Sequence, residues 1–424
     1  MKGKNYCKLH TEEMKQYPPF TSQSILTTTS DVTAMAAKLN EMADFTKEGF
    51  LFNQVREVVE KAYDIGKLVE VHQLFGGYIN TTFGIYTEKD GAIDTWLIRK
   101  YKRGKELDSL MFEHKLLIHA YDNGFSYGCR PIATKSGATY HIEKEVYPTG
   151  EEDGIFAVFN YLDGVSTYTW LGNWAEPEMP EHTFLSAARS MAEFHSAMKG
   201  FNPGGLHGDN IMDNEDITVN DLIAKFPETL KRFRKNYAES GFENVFTDFF
   251  DSNYDYYQKM CEASVIPAED YQKMHYCACQ CDFHPGNFKY DEAGNVTASF
   301  DYDMAKMDTR LFEIGLGMHY CFASWKCSTN GIIQLENVEK FIRQYNAEIK
   351  NIGAIEPLNE TEKKYLYEVM VQGTLYDMAW CTSACVYNPS LDPYEYLYYM
   401  QHFLFSLQWL EAHEAEVRAI AEKL

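Results

Sequence analysis

The decisive stretch begins Cys281-Asp282-Phe283-His284-Pro285-Gly286-Asn287-Phe288-Lys289-Tyr290. It runs through Asp291-Glu292-Ala293-Gly294-Asn295 and ends Val296-Thr297-Ala298-Ser299-Phe300-Asp301-Tyr302-Asp303. The segment ahead of it, His275-Tyr276-Cys277-Ala278-Cys279-Gln280, is short and largely apolar, as a buried strand is. The pattern predicts that this strand delivers Asp282 into a tight His-Pro-Gly loop, with Asn287 five residues on. Asp291–Asn295 is a turn, so a hairpin returns and sets Asp301 beside Asn287. A carboxylate in such a loop can orient a hydroxyl and take its proton. An amide oxygen and a second carboxylate are hard donors suited to Mg²⁺ on ATP phosphates. Phosphoryl transfer asks mainly for positioning and charge neutralisation, which these groups supply.

Outward from this block the period of the apolar residues changes twice. Residues 1–50 are polar, Thr/Ser-rich around Thr21–Ser30, with a short helix expected near Val32–Asp44; they read as an extension. Val55, Val58, Val59 and Ala62 mark an amphipathic helix within 51–68. Val69–Leu74, Tyr78–Tyr86 and Thr95–Tyr101 are rich in β-branched and aromatic residues and are separated by Phe75-Gly76-Gly77 and by Glu88–Ile93 with its Asp90-Gly91. A helix over Leu107–Asn123 and extended segments Ala133–Glu143 and Ile155–Tyr161 complete a β-β-β-α-β-β lobe. Beyond Asp163-Gly164 the chain turns helical, with Thr183 a candidate cap for a helix reaching Met198, more helix across 219–263, and Asp392-Pro393 opening a last long helix. The expected division is 1–50, 51–162 and 163–424.

The central block resembles the aminoglycoside phosphotransferase and choline kinase superfamily, the small-molecule relatives of protein kinases. Their signature His-Gly-Asp-(Leu/Phe)-His-Pro-Gly-Asn, followed by Ile-Asp-(Phe/Tyr), is met here by Asp282–Asn287 and Phe300-Asp301-Tyr302. The resemblance implies an α+β, bilobal protein-kinase-like fold: a small antiparallel β-sheet N-lobe with one helix, and a large, mostly helical C-lobe. By it Asp282 is the catalytic base, Asn287 and Asp301 hold Mg²⁺, and ATP is the co-substrate. Gln280 departs from the family's histidine, which braces the metal-binding loop; an amide both donates and accepts. His207-Gly208-Asp209, with Asn214 five residues on, also fits the shorter His-x-Asp-x4-Asn pattern, but it lacks the Pro-Gly loop.

The same resemblance extends to the small lobe. Phe75–Thr82, with Gly76, Gly77 and Asn80, corresponds to the phosphate-covering turn, where adjacent glycines let backbone amides approach a phosphate. Trp96–Tyr101 is similar to the third strand, whose basic residue reaches the phosphates; the apolar pair before it favours Arg99, with Lys100 the alternative. Glu113, on the following helix, is the implied ion-pair partner. Phe156–Asp163 matches the hinge, so Asn160, Tyr161 and Leu162 are implied at the adenine. Asp308–Gly315 resembles the family's Asp-x-Arg segment, with Glu313 where Asp is usual, and His195 reads as a packing residue.

Lys+Arg at 39 against Asp+Glu at 62 gives a net charge of −23, which argues against nucleic acid or an anionic membrane surface as the main partner. No secretory signal or spanning apolar run is seen, so a cytoplasmic protein is expected. The ten cysteines then read as reduced thiols, and Cys277, Cys279 and Cys281 as small residues on one face of a strand rather than metal ligands. The expected activity is transfer of the ATP γ-phosphate to a hydroxyl of a small molecule: a sugar, amino sugar, amino alcohol or aminoglycoside. Aromatic residues of the C-terminal helices, among them Tyr376, Trp380, Tyr396 and Tyr399, could face that acceptor. A catalytically silent nucleotide-binding protein is the alternative, kept open by Gln280. The oligomeric state is not legible.

Overall fold

The computed structural model describes residues 24–25, 46–74, 80–147, 150–168, 179–209, 217–240, 244–387 and 392–424. Within it the Val55, Val58, Val59 stripe behaves as its spacing asks. Helix α1 (Thr46–Ala62) buries all three, with Ala62, against one face of a sheet through Val71, Phe83, Ile85, Ile98, Phe156 and Val158. The strands are β1 (Ser24–Ile25), β2 (Lys67–Leu74), β3 (Thr81–Lys89), β4 (Ala92–Lys100), β5 (His141–Tyr147) and β6 (Gly150–Asn160). They form one antiparallel sheet in the order β1-β2-β3-β4-β6-β5. Asp90 and Gly91 both take positive φ, 53° and 80°, the turn that a two-residue Asp-Gly hairpin requires between β3 and β4.

Strand boundaries differ from the sequence expectation, most of all at the starts of β5 and β6. The segment expected as a strand from Ala133 starts at His141, because Thr134–Ala138 closes a turn: Gly137 N–H donates to the Thr134 carbonyl at 2.9 Å, with Gly137 at φ 86°. Strand β6 begins at Gly150 instead of Ile155. Its acidic start looks unlike a strand in isolation, but Asp153 lies opposite Lys144 on β5 and pairs with it.

The chain divides into two compact units, one within Met1–Leu107 and Gly128–Ser166, the other within Asp108–Tyr127 and Thr167–Leu424. Helix α2 (Leu107–Asp122) packs in the second: the Phe112 ring meets Phe201, and Lys115 Nζ donates to the Pro203 carbonyl at 3.2 Å. Helix α3 (Glu181–Ala197) starts at Pro180, not at a Thr183 cap; Thr183 is buried in its first turn, its N–H donating to the Pro180 carbonyl. Then follow α4 (Val219–Ser240), α5 (Val245–Ser264), α6 (Ala268–Tyr271), β7 (Tyr276–Cys279), β8 (Phe288–Tyr290), β9 (Val296–Ser299) and β10 (Lys306–Thr309). The remainder is α7 (Arg310–Phe322), α8 (Leu335–Ile352), α9 (Glu360–Lys364), α10 (Leu366–Tyr387), α11 (Pro393–Ala412) and α12 (Glu414–Ala421). Asp392 caps α11, accepting from Tyr394 N–H at 2.9 Å, with Pro393 at N1. The β8–β9 hairpin forms as expected, whereas the pairing of β7 with β10 was not visible in the sequence. No helix among the described residues is long and apolar enough to cross a membrane.

Candidate active site

After β7 the backbone turns sharply. Cys281 takes φ 62°, a left-handed conformation that costs a β-carbon residue about 1 kcal/mol. Glu313, fully buried in the first turn of α7, holds this turn: its Oε1 accepts from Gln280 N–H at 2.6 Å and Cys281 N–H at 3.0 Å. Its Oε2 accepts from His195 Nε2 at 2.5 Å, which leaves Nδ1 of that ring to accept from the Tyr345 hydroxyl at 2.9 Å. His195 is thus a packing residue with a job, linking α3 and α8 to the turn that aims Asp282.

The Asp282 side chain keeps 23% of its surface exposed, so a substrate hydroxyl can reach it. Asn287 Nδ2 donates to Asp282 Oδ2 at 2.8 Å and to the Asp282 carbonyl at 2.9 Å. His284 Nδ1 accepts from Gly286 N–H at 3.1 Å, so its Nε2 carries the proton and faces Asp282 Oδ2 at 3.5 Å. The Pro285–Asn287 turn is thereby locked around the carboxylate.

Phe300 N–H donates to the Asn287 carbonyl at 3.0 Å, closing the hairpin one residue before Asp301, which sits at φ 65°. Gln280 Nε2 donates to the carbonyl oxygens of Phe300 and Asp301, at 2.8 and 3.3 Å. The donor chemistry fits a hard divalent cation: the Asn287 nitrogen is turned to Asp282, so its oxygen is not engaged by that contact, and the Asp301 carboxylate is carried by the adjoining strand end. Asp303 is half-buried two residues further on.

The rival His207-Gly208-Asp209 segment packs against Ala305, four residues beyond Asp301. Gly208 is buried so close to the chain that a β-carbon there would stand 1.8 Å from the Ala305 carbonyl oxygen. Its Asn214 lies outside the described residues.

In the first unit, strand alternation separates the two candidate phosphate-binding cations. Lys100 points to the α1 side, where it pairs with buried Glu145, which also accepts from Gln54 Nε2 at 2.8 Å. Arg99 projects from the other face, opposite Thr82 and Ala157, its guanidinium 6.0 Å from the Phe159 and Tyr101 rings. Asn80 Oδ1 accepts from Lys102 N–H at 2.9 Å, tying the start of β3 to the exit of β4. At the end of β6, Asn160 Oδ1 accepts from Arg130 N–H at 2.5 Å, Leu162 is buried, and burial pushes the Tyr161 hydroxyl up to about 12. Gly76 and Gly77 lie outside the described residues. Glu113 is buried on α2, in the second unit.

The sequence pattern of the phosphotransferase enzyme family matches residues 70–336, more than half the chain. The chain belongs to that family. No curated protein sequence matches this phosphotransferase. Solved structures share its fold at low identity. A microcompartment-associated aminopropanol kinase has a TM-score of 0.56 at 11% identity, over 87% of this chain and 98% of that one. An ethanolamine kinase of Plasmodium vivax has 0.52 at 12%, over 88% and 93%. An amicoumacin kinase in complex with AMP-PNP and Ca²⁺ has 0.51 at 11%, over 91% and 96%. The phosphotransferase therefore has the protein-kinase-like fold of the small-molecule kinases.

Two groups near Asp282 carry no motif. Tyr320, on α7, places its ring 5.4 Å from the His284 ring and donates to Asp377 Oδ1 on α10 at 2.7 Å. Asp377 Oδ2 meets His319 Nδ1 at 3.2 Å. No local signal could have found a pair 57 residues apart in the chain. Cys277, Cys279 and Cys281 are buried and pack as small core residues. His195, Cys277 and Cys279 bring metal-type donor atoms within 4.8 Å of one another. Both nitrogens of that ring are already engaged, and burial holds the Cys279 thiol well above its ordinary value, where it stays protonated.

Proposed function

We propose that this phosphotransferase moves the γ-phosphate of ATP directly to a hydroxyl of a small molecule, with Asp282 as the base. The observation that carries the reading is the Asn287–Asp282 hydrogen bond at 2.8 Å in the loop leading into the β8–β9 hairpin, at whose far end Asp301 follows. Asp282 orients the acceptor hydroxyl and takes its proton as the acceptor oxygen bonds to the γ-phosphorus. The bond from that phosphorus to the β–γ bridging oxygen breaks, and ADP leaves with the electron pair. Asn287 and Asp301 would hold Mg²⁺, which when bound neutralises phosphate charge.

The nucleotide roles fall to residues 51–162: Gly76, Gly77 and Asn80 over the phosphates, Arg99 as their cation, and Asn160–Leu162 along adenine. Arg99 is preferred to Lys100 because Lys100 is already committed to Glu145. Residues 163–424 would supply the acceptor site. That solved structures of similar fold are kinases of aminopropanol and ethanolamine supports a small alcohol as acceptor, and the AMP-PNP bound to another supports ATP as donor.

The test is ADP release from Mg²⁺-ATP with sugars, amino sugars, amino alcohols and aminoglycosides, the product identified by a mass gain of one phosphoryl group. Acceptor-dependent ADP release with that product is expected. Mg²⁺-dependent nucleotide binding with no transfer to any alcohol is the behaviour of a silent relative and would contradict the proposal.

A further inference from the structure

One N–H beside Asp282 has no acceptor at hydrogen-bond distance among the described residues. His284 turns the two sides of its ring to different tasks: Nδ1 accepts from Gly286 N–H at 3.1 Å, which puts the proton on Nε2. That Nε2 stands 3.5 Å from Asp282 Oδ2, beyond the roughly 2.7–3.2 Å of an N–H···O hydrogen bond. Asp282 Oδ2 already accepts from Asn287 Nδ2 at 2.8 Å, which leaves Oδ1 to an acceptor hydroxyl. The His284 side chain is 11% exposed, beside a carboxylate that is itself open to substrate.

The ring is held in place. His284 N–H donates to the Asp282 carbonyl, and the His284 carbonyl accepts from Asn287 N–H, both at 2.9 Å. The Tyr320 ring packs against the imidazole, with centroids 5.4 Å apart at 65°, and the Tyr320 hydroxyl is fixed by donating to Asp377 Oδ1 at 2.7 Å. Next in the chain, the Pro285 carbonyl accepts from the Tyr290 hydroxyl at 3.0 Å. A donor fixed in this way needs no reorganisation when negative charge develops in front of it. A hydroxyl seated on Asp282 lies about 2.6–3.2 Å from the carboxylate, and the phosphorus it attacks lies about 3–3.5 Å further on. The phosphoryl oxygens, over which charge spreads during transfer, then pass within reach of a donor beside that carboxylate.

We infer that His284 is a further catalytic residue: its Nε2–H donates to a non-bridging oxygen of the γ-phosphoryl group as that group passes from ATP to the hydroxyl held by Asp282. The assignment rests on the phosphotransferase reading above and adds one group to it. The donor offsets the repulsion between the Asp282 carboxylate and the incoming phosphate, two negative groups that the reaction brings together. Imidazole suits the position because one rigid ring supplies an acceptor for Gly286 and a donor for the phosphoryl oxygen. The contact is made during transfer, so its loss lowers kcat and leaves KM for ATP and nucleotide binding nearly unchanged.

The experiment separates the two ring nitrogens. In His284→Asn the amide oxygen can take the place of Nδ1 and accept from Gly286, but nothing stands at Nε2; in His284→Gln the amide N–H reaches the place of Nε2, and the Gly286 contact is lost. With an acceptor that the wild type phosphorylates, His284→Asn is expected to lower kcat about 100-fold while ATP affinity, read by calorimetry, stays within about twofold. His284→Gln is expected to keep kcat within about tenfold of wild type. The γ-thio analogue of ATP replaces one of those oxygens with sulfur, a weaker acceptor. Its slower transfer in the wild type is expected to approach that of ATP in His284→Asn. Wild-type kcat in His284→Asn, loss confined to His284→Gln, or a ratio of the two nucleotides that His284→Asn leaves unchanged overturns the assignment and leaves the phosphotransferase standing. Absence of ADP formation and of phosphorylated product with every sugar, amino sugar, amino alcohol and aminoglycoside in the wild type overturns the phosphotransferase reading, and the assignment with it.

Discussion

Gln280 Nε2 donates to the Phe300 carbonyl oxygen at 2.8 Å, binding the end of β7 to the residue that precedes Asp301. A second contact reaches the Asp301 carbonyl at 3.3 Å. The family's signature has histidine here, and the amide supplies a donor to the same loop. Gln280→Ala leaves these carbonyls without that partner and loosens Asp301. Activity is expected to fall about 10–100-fold, with a higher Mg²⁺ requirement. Gln280→His is expected to restore most of it. Mg²⁺ titration of the initial rate checks both, and an unchanged titration in Gln280→Ala would refute the bracing role.

Glu313 gathers three donors, the Gln280 and Cys281 amides and His195. Glu313→Ala strands all three in a fully buried site and is expected to destabilise the fold by about 3 kcal/mol or more. Glu313→Asp keeps the charge with a shorter reach and is expected to lose less. Urea denaturation followed by tryptophan fluorescence ranks the two; equal stabilities would contradict the account.

The contrast between these residues shows what could be read from the chain alone. Asp282 and Asn287 lie just ahead of one hairpin and Asp301 just after it, so spacing and turn residues were enough to predict that they are neighbours. Val55, Val58 and Val59 were likewise legible, because helix period and burial coincide. Glu313 and His195 are 118 residues apart, and Tyr320 and Asp377 are 57 apart. Their partnership depends on how helices pack, which local pattern does not encode. Thr183 misled because a hydroxyl near a helix start looks like a cap, whereas the chain enters α3 at Pro180. The acidic start of β6 misled because its charges are balanced across the sheet, not along the strand.

Gly208→Ala places a methyl 1.8 Å from the Ala305 carbonyl oxygen, and backbone on both sides must move. Overpacking of this kind costs about 1–3 kcal/mol. Because Ala305 lies four residues beyond Asp301, the variant is expected to lose both thermal stability and activity. A melting temperature equal to wild type would show that the approach is not tight.

Arg99 and Lys100 are expected to separate cleanly. Arg99→Ala removes the proposed phosphate cation and should raise KM for ATP by about tenfold or more. Lys100→Ala removes an ion pair from the buried Glu145 carboxylate and should lower stability, with KM for ATP little changed. Steady-state kinetics with chemical denaturation decides, and the reverse pattern would exchange the two roles.

The Asp282 loop, not the Asp209 segment, is expected to perform the transfer. This is tested most directly by acceptor-dependent ADP release from Mg²⁺-ATP in Asp282→Ala and Asp209→Ala, with nucleotide binding measured on both. Turnover is expected to fall about a thousandfold or more in Asp282→Ala with binding retained, and to stay near wild type in Asp209→Ala. Turnover that survives Asp282→Ala and disappears in Asp209→Ala would contradict it.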